Sequence, residues 1–229
     1  MTDEPRSPLE LLEALAVQEV ELAPQLGHLE VYTMRGLLTL LWHGARDAPN
    51  IVLTCGGGMG SLLGPADGLY HRLGMELAPL GIPTIRVGYR KPNDLSRCVH
   101  DVAAAGDLAG RSGARQFIVM GHSFGGAVAV QAAIVFGEHC RGVVTLSTQS
   151  AGCEHASEIG DTPLLLFHGT DDIILPPETS AVVQMLAGHG EIVMLPGADH
   201  LLTQASEEIA QRLLEWIPAR FDGSPHEHA

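Results

Sequence analysis

Basic residues, aromatic residues and long apolar runs are all scarce in this sequence of 229 residues. Its 13 lysines and arginines face 27 aspartates and glutamates, and the formal net charge of −14 repels phosphate backbones and anionic lipid surfaces. Binding to nucleic acid is therefore not expected. The chain also lacks the run of about twenty apolar residues that crosses a bilayer, and its acidic start, MTDEPRSPLE, is unlike a secretory signal. We expect a cytoplasmic protein that makes no membrane contact.

Cysteine is scarce as well, and its spacing excludes the common cysteine sites. The four cysteines lie far apart, with no Cys-x-x-Cys pair and no Cys/His spacing typical of zinc: Cys55, Cys98, Cys140 and Cys153. We expect idle or buried thiols. His226-Glu227-His228 could bind a metal ion, but a frayed polar terminus explains it more simply. The sequence therefore predicts no metal site, and residues 221–229 are expected to form a flexible tail.

The chain does contain short apolar runs that alternate with alanine-rich helical segments. Strands that are apolar on both faces are typical of a parallel sheet covered by helices on both faces, so the fold class is α/β. The predicted strands are 51–54, 84–88, 117–120, 142–146, 164–167 and 192–195. The predicted helices are 65–78, 94–109, 124–136, 178–187 and 203–217. Residues 149–162 are expected to form a loop or a very short helix.

The N-terminal part of the chain has a different pattern. Residues 29–33 and 37–42 read as two strands of an antiparallel hairpin. Before them, the capping box that starts at Ser7 predicts a helix running to about Ala16. We therefore predict an N-terminal segment over residues 1–28 and one α/β domain over residues 29–220, because no repeat and no Pro-, Gly- or Ser-rich linker divides the chain.

One serine stands between glycines at the end of a predicted buried strand, in Gly121-His122-Ser123-Phe124-Gly125. Small neighbours permit a sharp, strained turn from strand to helix, which exposes the serine hydroxyl above the start of the helix. A glycine-rich turn with a capping serine is the simpler alternative. With this G-x-S-x-G pattern the sequence resembles the α/β-hydrolase family, in which such a turn carries the nucleophile. The resemblance implies the α/β-hydrolase fold, similar to dienelactone hydrolases and esterases without a cap domain.

This resemblance also implies an acid and a histidine further along the chain, each in a loop after a later strand. The segment HGTDDIILP, residues 168–176, is similar to the family's H-G-x-x-D-x-x-V-P, which puts the acid at Asp172. Asp171 is the alternative if the loop shifts by one residue. Of twelve histidines, His200 alone follows the last predicted strand in a short loop before the final helix. The implied catalytic residues are therefore Ser123, Asp172 and His200, whereas packing and turn geometry are expected for His122 and His168.

An oxyanion site of two backbone N–H groups belongs to the same resemblance. One donor is the N–H of Phe124, directly after the nucleophile. The second is expected from the glycine-rich loop after the first parallel strand, TCGGGMGS at residues 54–61. This loop has Cys-Gly where the family often has His-Gly, so Gly57 and Gly58 are both candidates, and Met59 is a third if the loop shifts further. The loop lacks the Gly-Lys-Ser/Thr of a phosphate loop and the register of a dinucleotide fingerprint.

Two further residues are candidates for substrate binding. The chain between Ser123 and Asp172 has room for one helix, one strand and a loop but not for a cap domain, so we predict an open site. An open site with few aromatic residues (5 Phe, 2 Trp and 3 Tyr) suits small or flexible acyl substrates. Met59 is a candidate for lining an acyl pocket, with core packing as the alternative. Arg90 is a candidate for contacting a substrate carboxylate, with a structural ion pair as the alternative.

Taken with the resemblance, these residues imply a serine hydrolase that acts on small carboxylic esters, lactones or thioesters through an acyl-enzyme. No metal or organic cofactor is implied. An acyltransferase or perhydrolase with the same residues is one alternative, and a non-catalytic ligand-binding protein on the same fold is another. The expected partner is a small-molecule acyl substrate, and a monomer and a homodimer are equally compatible with the sequence.

Overall fold

Nine strands form one sheet in the computed structural model, which describes residues 6–222. The strands are β1 (Ala14–Ala23), β2 (Leu26–Thr33), β3 (Gly36–His43), β4 (Asn50–Cys55), β5 (Thr84–Gly88), β6 (Gln116–His122), β7 (Cys140–Leu146), β8 (Leu164–Gly169) and β9 (Glu191–Leu195). Their spatial order is β1-β2-β3-β5-β4-β6-β7-β8-β9. β1 to β3 are antiparallel, β3 pairs antiparallel with β5, and all later pairs are parallel. The predicted fold class is confirmed, and every predicted strand lies within an observed one.

Helices cover both faces of this sheet. They are α1 (Pro8–Leu11), α2 (Pro65–Leu77), α3 (Leu95–Ser112), α4 (Phe124–Phe136), α5 (Glu178–Ala187) and α6 (Ser206–Phe221). Buried side chains of α1, α3, α4 and α5 belong to the apolar cluster on one face, whereas α2 and α6 contribute to the cluster on the other. The central parallel strands are apolar on both sides because both of their faces are covered. Among the described residues, no helix is both long and apolar enough to cross a bilayer.

Two helices start differently from the prediction. Residues 66–68 of α2 have left-handed backbone angles, so regular right-handed helix begins only after Gly68. The predicted helix 203–217 begins as the 3-10 turn Thr203–Ala205, and α6 follows from Ser206 to Phe221. Residues 149–162 contain only the short 3-10 turn Ala156–Ile159, as expected for a loop.

The N-terminal helix prediction is wrong beyond Leu11. The Ser7 capping box is present, but α1 ends after one turn and the chain enters β1 at Ala14. Long-range pairing with β2, for example Val17 opposite Val31, prevails over the local helical signal. Every residue of β1 is exposed, so the strand has no buried apolar face that would have marked it in the sequence. Residues 223–229 of the predicted tail lie outside the described part of the chain.

Candidate active site

The predicted site residues follow strands that end at the same edge of the sheet. β6 ends directly before Ser123, β8 ends three residues before Asp172, and β9 ends five residues before His200. The glycine-rich loop begins where β4 ends, at Cys55. Because parallel strands place their carboxyl ends together, these loops meet at one edge, as binding loops of open α/β sheets do.

The backbone of the turn at Ser123 is strained, as the glycines near it predict. Ser123 has φ 56° and ψ −120°, a combination that non-glycine residues rarely adopt. A Cβ added to Gly121 would clash with the carbonyl of Gly125. A Cβ added to Gly125 would lie 2.5 Å from the carbonyl oxygen of Cys55. Backbone packing on both sides of the serine therefore requires glycine at Gly121 and Gly125.

The structure brings together His200 and Asp172. His200 Nδ1 lies 2.7 Å from Asp172 Oδ2, and the backbone N–H groups of Ile174 and Leu175 each donate to Asp172 Oδ1 at 2.9 Å. Burial raises the pKa of Asp172, but the N–H of Leu175, the imidazole of His200 and the N–H of Ile174 together bring it below its ordinary value. The carboxylate is therefore ionised near neutral pH and orients the imidazole.

The neighbouring aspartate has a different environment. Asp171 is exposed, and its carboxylate accepts from the hydroxyl of Thr170 at 3.0 Å. Its side chain makes no contact with His200 within hydrogen-bond distance among the described residues. Of the two acids that the sequence left open, Asp172 is the one that meets the histidine.

Two further histidines, for which the sequence predicted packing and turn geometry without naming their contacts, support the same loops. His168 is fully buried; its Nδ1 lies 2.7 Å from Ser180 Oγ, and its Nε2 lies 3.0 Å from the carbonyl oxygen of Leu175 and 3.2 Å from Asp172 Oδ2. A carbonyl can only accept, so His168 Nε2 carries a hydrogen and donates it to the carbonyl of Leu175. His168 therefore holds the turn that carries Asp172.

His122 supports the histidine loop in the same manner. Its Nε2 lies 2.9 Å from the carbonyl oxygen of His200, and the two rings lie 4.8 Å apart. Burial lowers the pKa of His122 to about 4, although the hydrogen bond to the backbone of His200 opposes the shift. The ring is therefore neutral near pH 7 and donates Nε2–H to that carbonyl.

A cavity of about 280 Å³ lies between the serine and the glycine-rich loop. Ser123, His200, Gly57, Gly58 and Met59 all line it. A Cβ added to Gly57 would lie 3.9 Å from the Cβ of Ser123, so this glycine packs directly beside the serine, whereas the side chain of Met59 is 96% exposed. No hydrogen bond joins Ser123 Oγ to His200 among residues 6–222, and such bonds commonly form only when a substrate is bound.

Phe124 follows Ser123 as the first residue of α4. The first N–H groups of a helix have no partner within the helix and lie at its positive end. The N–H of Phe124 is therefore available to a negatively charged atom above the turn.

Arg90 is not part of this cavity, and its prediction as a substrate contact needs correction. Its guanidinium forms an ion pair with Asp101 and donates to the carbonyl oxygen of Arg35 at 3.1 Å. The side chain of Arg90 is only 6% exposed and that of Asp101 is fully buried. A buried carboxylate requires such a partner, so the arginine serves the fold.

Other concave and polar features lie apart from the serine. A larger concavity of about 620 Å³ lies beside the starts of β7 and β8 and includes none of the predicted site residues. Within the described range, no three His, Cys, Asp or Glu side chains cluster in a manner suited to a metal ion. All four cysteines are buried and unpaired with one another.

Comparisons with known proteins agree with this architecture. Residues 99–162, which include Ser123, match the family model described as alpha/beta hydrolase fold. Dienelactone hydrolase from Anabaena variabilis is 19% identical with a TM-score of 0.71, covering 89% of this chain and 98% of its own. Est1E from Butyrivibrio proteoclasticus is 16% identical with a TM-score of 0.69, covering 85% and 99%. No curated protein sequence matches significantly. This chain therefore has the α/β-hydrolase fold.

Proposed function

We propose that this protein is a serine hydrolase that cleaves small carboxylic esters, lactones or thioesters. One observation carries the proposal: His200 Nδ1 lies 2.7 Å from the buried carboxylate of Asp172, and His200 lines the same cavity as the strained Ser123. A serine hydroxyl is a weak nucleophile by itself, and it needs a base that a third group orients. These three side chains supply that set.

In the proposed reaction, Ser123 Oγ attacks the acyl carbonyl carbon while His200 Nε2 accepts the hydroxyl proton. Asp172 accepts the Nδ1–H of the imidazole, which leaves Nε2 without a hydrogen and able to act as the base. His200 then protonates the leaving alcohol or thiol as its bond to the acyl carbon breaks. A water molecule, deprotonated by His200, attacks the acyl-enzyme, and the acid is released as Ser123 regains its proton.

Negative charge develops on the carbonyl oxygen in both tetrahedral intermediates. The N–H of Phe124 lies at the positive end of α4 and is one proposed donor to that oxygen. The glycine-rich loop supplies the second, from Gly57 or Gly58, both of which line the cavity. Both donors belong to the backbone, so they are held in position before the reaction begins.

The size and rim of the cavity support a small substrate. Its volume of about 280 Å³ lies at the lower end of the range of roughly 300–1,000 Å³ for ligand pockets. Among the similar structures are a dienelactone hydrolase and Est1E with ferulic acid bound, which favour a compact acyl group here too. Met59 and Leu201, both exposed, offer apolar contacts at the mouth of the cavity.

A panel of aryl esters with short and long acyl chains tests this proposal. Wild type is expected to hydrolyse acetyl and butyryl esters faster than long-chain esters, and Ser123→Ala is expected to abolish the reaction. Ser61→Ala is the matched control because Ser61 lines the same cavity but is not the proposed nucleophile. Activity retained by Ser123→Ala, or a clear preference for long chains, would contradict the proposal.

A further inference from the structure

Two buried tyrosine hydroxyls donate to consecutive carbonyl groups at the start of the glycine-rich loop. Tyr70, on α2, donates to the carbonyl oxygen of Cys55 at 2.9 Å. Tyr89, which follows β5, donates to the carbonyl oxygen of Gly56 at 3.1 Å. Both tyrosines are almost completely buried. Each hydrogen bond therefore fixes one peptide plane of the loop from the side of the protein core.

The second of these peptide planes bears directly on the cavity. In a planar trans peptide, the carbonyl of Gly56 and the N–H of Gly57 point in opposite directions. The carbonyl points inward, because Tyr89 donates to it and a Cβ added to Gly125 would clash with it. The N–H of Gly57 consequently points outward, on the side where Gly57 lines the cavity beside Ser123.

Gly58 is oriented by a different contact. Its N–H shares a peptide plane with the carbonyl of Gly57, which accepts from the N–H of Gly60 at 2.9 Å within the loop's own turn. A Cβ added to Gly58 would face Asn93 Oδ1 at 3.5 Å and Phe124 Cβ at 3.7 Å, whereas one added to Gly57 would face His122 and Ser123. Of the two glycines, Gly57 is therefore the one that packs against the serine.

We propose that Tyr89 is a positioning residue: its hydroxyl holds the Gly56–Gly57 peptide so that the N–H of Gly57 is the second oxyanion donor. This inference rests on the proposed function, because it assigns a part of the same site. Backbone donors stabilise a transition state to the extent that they are oriented before charge develops. Loss of the hydroxyl removes the hydrogen bond that fixes the carbonyl of Gly56, and any rotation of that carbonyl turns the N–H of Gly57 with it.

Tyr70 provides the matched control. Tyr70→Phe removes a buried hydroxyl from the same loop, one residue earlier, and leaves the carbonyl of Cys55 without its donor. The N–H in that peptide belongs to Gly56, which does not line the cavity. Both substitutions are expected to cost similar stability, about 2–4 °C in Tm for a chain of this size. Only Tyr89→Phe is expected to disturb the oxyanion donor.

The test measures kcat and KM for a short aryl ester, and affinity for phenylboronic acid, in wild type, Tyr89→Phe and Tyr70→Phe. Tyr89→Phe is expected to lower kcat about 10- to 100-fold and to leave KM within about twofold. The decrease in kcat should not exceed the decrease that follows removal of a whole oxyanion donor. Boronate affinity should fall with kcat, because the tetrahedral adduct places an oxygen at the same donors. Tyr70→Phe should keep both within about threefold of wild type.

Equal losses of kcat in the two variants, or a change in KM alone, would overturn the role of Tyr89. If wild type is active and Ser123→Ala is inactive, the proposed function would still stand in that case. Wild type without esterase activity or boronate binding would overturn both proposals together.

Amide NMR on ¹⁵N-glycine-labelled wild type gives a second measurement that needs no tyrosine variant. On addition of phenylboronic acid, the amide proton of Gly57 is expected to move downfield while that of Gly58 changes little. A downfield shift at Gly58 with none at Gly57 would assign the donor to Gly58 and overturn the inference.

Discussion

Among the residues that the structure describes, two carboxylate side chains are fully buried, Asp101 on α3 and Asp172 after β8, and their partners differ. Asp101 pairs with the guanidinium of Arg90, and Asp172 pairs with the imidazole of His200. An arginine cannot give up its proton in a protein, whereas an imidazole exchanges a proton near neutral pH. The Asp101 pair is therefore suited to holding the fold, and the Asp172 pair is suited to moving a proton.

The pKa values of the two carboxylates also shift in opposite directions. Burial raises the pKa of Asp101, and the hydrogen bonds and charge of Arg90 offset only part of that shift. Burial also raises the pKa of Asp172, but the N–H of Leu175, the imidazole of His200 and the N–H of Ile174 lower it by more. Asp172 therefore keeps its charge through a set of donors that includes the imidazole of His200. Burial therefore does not distinguish these two acids, whereas their partners do.

The largest expected effect comes from removing the charge of the proposed catalytic acid. Asp172→Asn should lower kcat about 10⁴-fold, because an amide does not hold the imidazole in the tautomer that accepts the proton of Ser123. Asp171→Asn, the matched control, should change kcat less than about twofold because Asp171 is exposed and does not contact His200. Steady-state ester hydrolysis measures both. A greater loss in Asp171→Asn would exchange the roles of the two acids.

Asp101→Ala should show the opposite signature. Removing this carboxylate leaves the guanidinium of Arg90 buried without its partner, and the free energy of unfolding should fall by about 3–5 kcal/mol. Turnover per folded molecule should stay within about twofold of wild type. Urea denaturation and activity at low temperature measure the two quantities. A large loss of turnover in folded Asp101→Ala would link this pair to the site and erase the contrast with Asp172.

A buried titratable group without any counter-charge should affect stability through pH. His43 is fully buried, and neither ring nitrogen has a hydrogen-bond partner among the described residues. Burial, with Arg86 and His71, lowers the pKa of His43 from 6.5 to about 4. The unfolded chain therefore takes up the proton first as pH falls, and the free energy of unfolding should decline from pH 6.5 to pH 4, with its full value retained above pH 6.5.

His43→Leu should flatten this decline, because leucine does not titrate. The slope should not vanish, since burial also lowers the pKa of His122 to about 4. Urea denaturation at several pH values between 4 and 7 measures the slope. An unchanged slope in His43→Leu would show that His43 does not contribute.

The smallest effect is expected for an exposed carboxylate. Glu207 pairs with Arg72 at 2.7 Å between α6 and α2, but its side chain is 85% exposed. Glu207→Gln should change the free energy of unfolding by less than about 1 kcal/mol, because solvent already screens the pair. Urea denaturation in parallel with Asp101→Ala measures the difference. A loss as large as that of Asp101→Ala would mean that exposure does not govern the strength of these pairs.

The parallel part of the sheet, and the strands after which Ser123, Asp172 and His200 lie, were predictable from the sequence. Strands buried on both faces form continuous apolar runs, and the glycines around Ser123 mark a turn that only small neighbours permit. The fully exposed β1 was not predictable, because its pairing with β2 is long-range and its side chains show no buried face. The partner of Arg90 was equally hidden, since Asp101 lies on a helix eleven residues away.

Details within the loops required three-dimensional contacts. Asp171 and Asp172 are adjacent and chemically identical; the family pattern favoured Asp172, but the alternative stayed open until the contact with His200 was known. The contacts of His168 and Tyr89 with loop carbonyls also left no sequence signal. The first depends on how the loop after β8 turns back, and the second on the pairing of β4 with β5. The directions of the backbone N–H groups of Gly57 and Gly58 likewise left no sequence signal.

The central claim, that Ser123 is an activated nucleophile, is tested most directly by mass spectrometry after incubation with a fluorophosphonate. Trypsin releases residues 116–141 as one peptide, in which Ser123 is the only side chain with a hydroxyl group. We predict one equivalent of adduct on this peptide in wild type and none in Ser123→Ala. Folded wild type that remains unlabelled, or an adduct confined to another peptide, would contradict the claim.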